Sequence, residues 1–208
     1  MSLYGRFFAA TYDRMLAGTE EAGLGERRHA LLASADGRVI EIGAGTGVNL
    51  AHYPDAVTDL VLTEPEEPMA KRLEKRAQSE RNDRPVTVVR TAAERLPFPD
   101  NHFDTAVCTL VLCTVGDPER TLSELDRVLK PGGRLLFLEH VRSDDPRLAK
   151  WQDRFAPLWR RLGHGCNCNR PTPELIRSRF ENVEIEEGEV PKAPPIVRPL
   201  RVGRAVAP

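Results

Sequence analysis

The residues best equipped for chemistry stand at 39–47, Val39-Ile40-Glu41-Ile42-Gly43-Ala44-Gly45-Thr46-Gly47, where an apolar run ends in three alternating glycines with an acid two positions ahead of the first. Without a Cβ, the backbone at Gly43, Gly45 and Gly47 can turn through positive φ and lie directly against a ligand. The main chain then becomes the binding surface, an arrangement suited to the nucleoside part of a cofactor. A dinucleotide fingerprint requires G-x-G-x-x-G with pyrophosphate at a helix N-terminus, and the pattern here is G-x-G-x-G. Glu41 would repel a pyrophosphate and suits a ligand that carries an amino group.

S-adenosylmethionine has such a group on its methionine end. Glu64 closes the apolar run Leu60-Val61-Leu62-Thr63, where a second strand would bring a carboxylate to two ribose hydroxyls. His140, with Glu139 beside it, is the candidate general base; a strand-end histidine bonded to a loop carbonyl is the alternative. His164-Gly165-Cys166-Asn167-Cys168 contains zinc-ligating residue types, but C-x-C is not the usual ligand spacing and no second pair follows. The segment reads as a loop lining an acceptor pocket, with Arg170 able to pair with an anion or a thiolate, and no metal is expected. Trp151, Phe155 and Trp159, four residues apart, share one helical face that either walls this pocket or packs on the core. Cys113 is either a substrate contact or a buried structural thiol. Tyr4, Phe7, Phe8 and Tyr12 form a lid over the cofactor, with Tyr12 donating to its carboxylate, or simply pack a helix.

The elements needed to position these groups follow an alternating rhythm. A broken helix is expected from Tyr4 to about Ala33, interrupted by Gly18, Gly23 and Gly25. Then come a strand to Gly43, a helix from about Val48, a strand over 59–64, a helix over 66–79 and a strand over 85–90. A strand over 103–110, a helix over 117–129 led by Asp-Pro, and a strand over 134–139 after the Pro131-Gly132-Gly133 turn complete the alternation. Segments 181–190 and 196–206 read as a closing hairpin. The fold class is α/β: a doubly wound, Rossmann-like, seven-stranded, mostly parallel sheet with helices on both faces and an antiparallel C-terminal hairpin. Gly43, Glu64, Thr91 to Glu94, Leu110 to Val115 and Glu139-His140 all end or follow a strand, where such sheets bind ligands.

The 208 residues, 40 % of them hydrophobic, fit one domain over 1–208: a helical lid at 1–33, a cofactor-binding core at 38–140, an acceptor-side helix and loop at 141–180 and the hairpin at 181–208. Thirty basic residues against 31 acidic ones leave no strong field toward nucleic acid or anionic membrane. No apolar run approaches a membrane span, and Arg6, Asp13 and Arg14 interrupt the start where a signal peptide needs an apolar core. Four cysteines in a chain of this length make no disulfide framework. A cytoplasmic protein, monomer or homodimer, acting on a small molecule is expected.

From about Arg38 to His140 the sequence resembles the class I S-adenosylmethionine-dependent methyltransferases. The likeness rests on the 39–47 segment, Glu64, Ala93-Glu94-Arg95-Leu96-Pro97-Phe98-Pro99-Asp100 leading into Phe103-Asp104, and Leu129-Lys130-Pro131-Gly132-Gly133-Arg134-Leu135. It implies that Gly43, Ala44, Gly45, Gly47 and Asn49 lie along S-adenosyl-L-methionine, with Glu41 by its amino group. It also implies that Glu64 and Pro65 hold the ribose, that Met69 packs near the adenine, and that Ala93, Glu94 and Leu110 complete the cofactor side. Many relatives carry Asp where this chain has Ala92, so adenine recognition there falls to backbone groups.

A narrower likeness, through Phe137-Leu138-Glu139-His140-Val141 and Gly165-Cys166-Asn167-Cys168-Asn169-Arg170, reaches small methyltransferases that include animal thiol S-methyltransferases, whose membrane-anchoring leader has no counterpart here. The resemblance implies methyl transfer to a small acceptor, thiol sulfur favoured, with Cys113, Glu139, Trp151, Cys166 and Arg170 on the acceptor side. Quinone, phenol or phospholipid-headgroup methylation, and a non-catalytic cofactor-binding protein of the same fold, are the alternatives.

Overall fold

The structure is a computed structural model that describes residues 3–79 and 84–208, with the backbone course alone for residues 3–10. The side chains of Tyr4, Phe7 and Phe8, expected in a lid, fall outside the described residues. In chain order the helices are α1 (Leu3–Thr19), α2 (Gly25–Leu32), α3 (Glu67–Ser79), α4 (Pro118–Val128), α5 (Pro146–Leu162) and α6 (Thr172–Arg177). The strands are β1 (Gly37–Ile42), β2 (Val57–Thr63), β3 (Val86–Val89), β4 (Phe103–Thr109), β5 (Leu129–His140), β6 (Glu181–Glu189) and β7 (Pro199–Val206).

The sheet order is β3-β2-β1-β4-β5-β7-β6. Neighbours from β3 to β5 run parallel, whereas β7 is antiparallel to both β5 and β6. Order reverses between β1 and β4, which opens a crevice beyond their carboxyl ends. Strand alternation divides the core between two faces. Ile40, Ile42, Ala106, Cys108, Leu135 and Phe137 pack with Leu122, Leu125 and Val128 of α4 and Ile176 of α6. Val39, Leu60, Leu62, Val107, Leu136 and Leu138 pack on the other face with Leu31 and Leu32 of α2 and Leu73 of α3.

Local chemistry accounts for most boundaries. Asp117 caps α4 by accepting from the Arg120 amide at 2.9 Å, and Asp145 caps α5 by accepting from that of Arg147 at 2.9 Å, each followed by a proline whose missing N–H costs nothing in the first turn. The N-terminal helix breaks where Gly23 turns to a φ of 125°, between α1 and α2. Two expectations need correction. After Gly47 the chain makes a run of turns and one 3-10 turn, Leu50–His52, instead of a helix from Val48. Pro54 forces Tyr53 into extended backbone (ψ 129°) and leaves no room for a longer helix. β5 begins at Leu129, ahead of the Pro-Gly-Gly turn, with its register against β4 shifting between Phe103 and Thr105. α6, six residues long, had no periodicity strong enough to announce it. Among the described residues no helix is long and apolar enough to cross a membrane.

Candidate active site

A cavity of about 410 Å3 opens beyond the carboxyl ends of β1, β2, β4 and β5, within the usual range of roughly 300–1,000 Å3 for small-molecule sites. Its first end is built on backbone. Gly43 and Gly45, just past β1, have φ of 56° and 59°. A Cβ on Gly45 would project between Met69 Cε and the Tyr12 ring, 3.8 and 3.9 Å away, into the space a ligand would take. Glu64, past β2, accepts from the Gly45 amide at 3.0 Å through one oxygen and from the Glu66 amide at 2.9 Å through the other. It thus fixes the glycine turn while keeping unused lone pairs on the cavity side. Burial pushes the Glu64 carboxyl up to about 7 against these amides, with Glu66 and Glu41 adding to the rise. Tyr12 and Leu16 of α1, Pro65, Met69, Ala93 and Glu94 complete this end. Burial raises the Tyr12 phenol to about 12, so it remains a hydrogen-bond donor.

The second end is made of side chains from distant segments. Leu110 leaves β4 at a φ of 60°, a left-handed conformation that costs a leucine roughly 1–2 kcal/mol. The loop is held there by Glu139, fully buried on β5: its carboxylate accepts from the amides of Val111, Leu112 and Cys113 at 2.8, 2.9 and 3.2 Å and from the Cys108 thiol at 3.1 Å. Burial raises the Glu139 carboxyl, and these four donors oppose the rise. Past this loop, His140 Nδ1 lies 3.5 Å from Cys166 Sγ and 4.0 Å from Cys113 Sγ. The Cys113 thiol beside Cys166 lowers the pKa of the latter, helped by His140 and opposed by burial, while Cys113 itself is driven well above the usual thiol range. Trp159 occupies its place because Gly163 has no side chain: a Cβ there would come within 2.8 Å of the indole nitrogen.

Residues 40–137 match the family described as methyltransferase domain. The chain is 36 % identical over 176 residues to the thiol S-methyltransferase TMT1B of Homo sapiens, covering 83 % of this chain and 70 % of that protein. It is 31 % identical over 202 residues to the thiol S-methyltransferase TMT1A of Homo sapiens, covering 96 % and 82 %. Among solved structures, a SAM-dependent methyltransferase of Thermotoga maritima, described as a possible histamine N-methyltransferase, superposes with a TM-score of 0.72 at 25 % identity over 98 % of both chains. The chain belongs to the class I S-adenosylmethionine-dependent methyltransferases. Its sheet is the Rossmann-like sheet of that family.

In this methyltransferase the glycine cradle and Glu64 fit the cofactor, S-adenosylmethionine: Gly45 leaves open the space that a Cβ would fill, and Glu64 has acceptor capacity left for hydroxyl groups. Many residues singled out in the sequence line the cavity, among them Tyr12, Gly43, Gly45, Glu64, Pro65, Met69, Ala93, Glu94, Leu110, Cys113, His140, Trp159, His164 and Cys166. Others do not line the cavity, and their side chains are taken up behind it. Glu41 shares its strand face with Val39, so its carboxylate points toward the α2 side and accepts from Tyr53 Oη at 2.7 Å and Asn49 Nδ2 at 2.9 Å. Asn49 accepts in turn from the Arg28 guanidinium at 3.0 Å, which also reaches Thr109 and Glu20. Burial raises Glu41 to about 7, with Tyr53, Asn49 and Arg28 acting against it. Ala44 is buried beneath the turn, and a side chain on Gly47 would meet Leu50 and Leu73 at 2.8 Å, so both serve packing.

On the acceptor side Glu139 is the loop clamp and does not reach the cavity. Arg170 donates to the Leu112 carbonyl at 2.5 Å and backs the same loop. Trp151 is 54 % exposed and stacks on Phe155 at 5.4 Å, on the outer side of α5. The buried face of α5 runs instead through Ala149, Gln152 and Ala156, and Trp159 alone of the three aromatics reaches the cavity. Gln152 and Gly116 gave no signal in the sequence, and the partner of His164 gave none. Gln152, fully buried, donates to the carbonyls of Val141, Cys168 and Ile196 and accepts from the Ser143 amide, joining four segments behind the acceptor end. His164 Nε2 meets Glu66 Oε1 at 2.7 Å across the cavity, apart from the two thiols beside which the sequence places it. Val111, Thr114 and Val115, from the flagged segment after β4, line the wall with Gly116, on a loop held by Glu139 and backed by Arg170.

Proposed function

We propose that this methyltransferase transfers the methyl group to the sulfur of a small-molecule thiol. The observation that carries the reading is the acceptor end itself, where His140, Cys113 and Cys166 converge with Trp159 as an apolar wall. Among the described residues no lysine lines the cavity, and each carboxylate that does is engaged: Glu64 by two amides, Glu66 by His164, and Glu94 by the amides of Gly116 and Asp117. An alcohol or an ammonium group would need a strong, unengaged base there. A thiol, with a pKa of about 8.5, needs little help to ionise. The identity of 31–36 % to proteins named thiol S-methyltransferases points the same way.

S-adenosylmethionine supplies a methyl group that its sulfonium already makes electrophilic. The chain's part is alignment, which in well-oriented reactions is worth roughly 7–11 kcal/mol. The turn at Gly43 and Gly45, with Glu64, fixes the donor; Leu110 to Val115, held by Glu139, and Trp159 confine the acceptor; His140 assists the loss of the acceptor's proton. Alkyl thiols, aryl thiols, quinols, phenols and amines incubated with methyl-labelled cofactor test the assignment. Label is expected in thioethers, with His140→Ala lowering kcat/KM by about 10²–10⁴. Label on a quinol, phenol or amine, with none on any thiol, would replace the sulfur assignment.

A further inference from the structure

The sequence offered Cys166 and Cys168 as metal ligands and supplied no second pair. The fold instead brings to Cys166 two residues from elsewhere in the chain: Cys113 from the loop after β4 and His140 from the end of β5. We infer that Cys113, Cys166 and His140 are a three-ligand zinc site whose fourth position opens into the cavity and takes the acceptor's sulfur as a thiolate. The metal site stands on geometry; its fourth ligand rests on the thiol reading above.

Nδ1 of His140 is 3.5 Å from one sulfur and 4.0 Å from the other, and all three atoms lie within 4.8 Å of one another. A tetrahedral zinc with Zn–S of about 2.3 Å and Zn–N of about 2.0–2.1 Å sets edges of roughly 3.6 Å between sulfur and nitrogen and roughly 3.8 Å between sulfurs. The side chains therefore need to close by no more than about an ångström to embrace the ion. Two thiolates and an imidazole are a donor set that suits zinc, and three protein ligands with one open position are the pattern of catalytic zinc sites. All three residues line the cavity. The surroundings hold the ligands in place. Glu139 accepts from the Cys113 amide, and the Asn167 amide donates to the Cys113 carbonyl at 2.7 Å. The Trp159 indole N–H, buried and without a hydrogen-bond partner among the described residues, belongs to a ring that lines the cavity together with Cys166.

This arrangement also fixes how His140 acts. With Nδ1 directed at the two cysteine sulfurs, His140 assists the loss of the acceptor's proton through the metal it holds. On metal binding the two cysteine protons leave to solvent, and the acceptor R–SH loses a third as its sulfur takes the open position. A lone pair of that sulfur then forms the bond to the methyl carbon. The bond from methyl to sulfonium breaks, and its electron pair returns to the cofactor's sulfur. The product thioether, neutral and a weaker ligand, gives way to water or to another thiol.

Full-length protein stripped with a chelator and titrated with cobalt(II), then with zinc(II) against a chromophoric competitor, tests the site without any turnover. The expected result is about one equivalent bound. The cobalt form should show the intense visible bands of four-coordinate cobalt and a sulfur-to-metal charge-transfer band, both shifted by added thiol. Cys113→Ser, Cys166→Ser and His140→Ala should each weaken binding more than about a hundredfold, whereas Cys168→Ser, outside the cluster, should retain it. Should the serine variants fail to fold, X-ray absorption of the wild-type zinc form must still report two protein sulfurs and one imidazole. Absence of a sulfur shell, or a cobalt spectrum without charge transfer, overturns the site. A correct cobalt spectrum with no thiol methylated upholds the metal site and removes the thiol reading. Thiol methylation at an undiminished rate by metal-free protein does the reverse.

Discussion

The two ends of the cavity are built on opposite plans. At the end proposed for the cofactor, the lining comes largely from the turns that directly follow β1 and β2, where one carboxylate, Glu64, holds the main chain of the glycine turn. At the acceptor end, the groups come from residues 110–116, 140 and 159–166, and they meet only because Glu139 and Gln152 tie their segments together from behind. A backbone-built site needs glycine where it needs glycine and tolerates change elsewhere. A side-chain-built site depends on buried polar clamps that never touch the ligand, so its chemistry can be redirected by exchanging a few residues on a fixed loop.

The sharpest way to break this contrast is Gly43→Ala. The new methyl would sit 2.7 Å from Val111 Cγ2, at a φ of 56°, so strain and overpacking together should remove about 2–5 kcal/mol of stability. Because Val111 belongs to the clamped loop, both ends should suffer, which urea unfolding and titration of cofactor binding will measure. A smaller effect tests the carboxylates. The folded chain holds protons on Glu41 and Glu64 up to about 7, whereas the unfolded chain releases them near the ordinary 4.5. Stability should therefore fall as pH rises from about 4.5 to 7, by an amount on the order of 1–3 kcal/mol per group. Thermal melts across that window should show the slope, and Glu64→Gln should flatten its share. Hydroxyl donors favour the ionised carboxylate, so cofactor binding should release protons near pH 7, visible in calorimetry as a dependence on buffer ionisation. The smallest effect is expected for Trp151→Ala: on the outer side of α5 it should change stability by less than about 0.5 kcal/mol and leave kcat/KM for the acceptor unaltered. A marked loss would mean that the acceptor wall extends further round the helix than Trp159.

The same contrast explains what could be read without coordinates. Alternating strands and helices, the caps at Asp117 and Asp145 and the glycine turn are local, and the alternating β/α order with its closing hairpin follows from them. Glu64 and Met69 were legible because each follows its strand closely. Which way Glu41 faces was not legible, because its Tyr53 and Asn49 partners come from the turn that stands where a helix was expected. Trp151 was misplaced because a spacing of four specifies a shared face and not which face is buried; Gln152, a polar residue, marks the buried one. Cys113, His140 and Cys166 were each noted singly, yet their meeting is a tertiary fact that spacing within one segment cannot carry.

The strand order has a consequence for how the molecule is made. β7 lies between β5 and β6, although it follows both in the chain. As the polypeptide leaves the ribosome, β6 has no edge to join until β7 has been synthesised, and the β5 edge, with Leu136 and Leu138 in its stretch, stays bare meanwhile. Such an edge invites pairing with other chains. The hairpin of β6 and β7, arriving as a unit, closes the sheet and covers that edge.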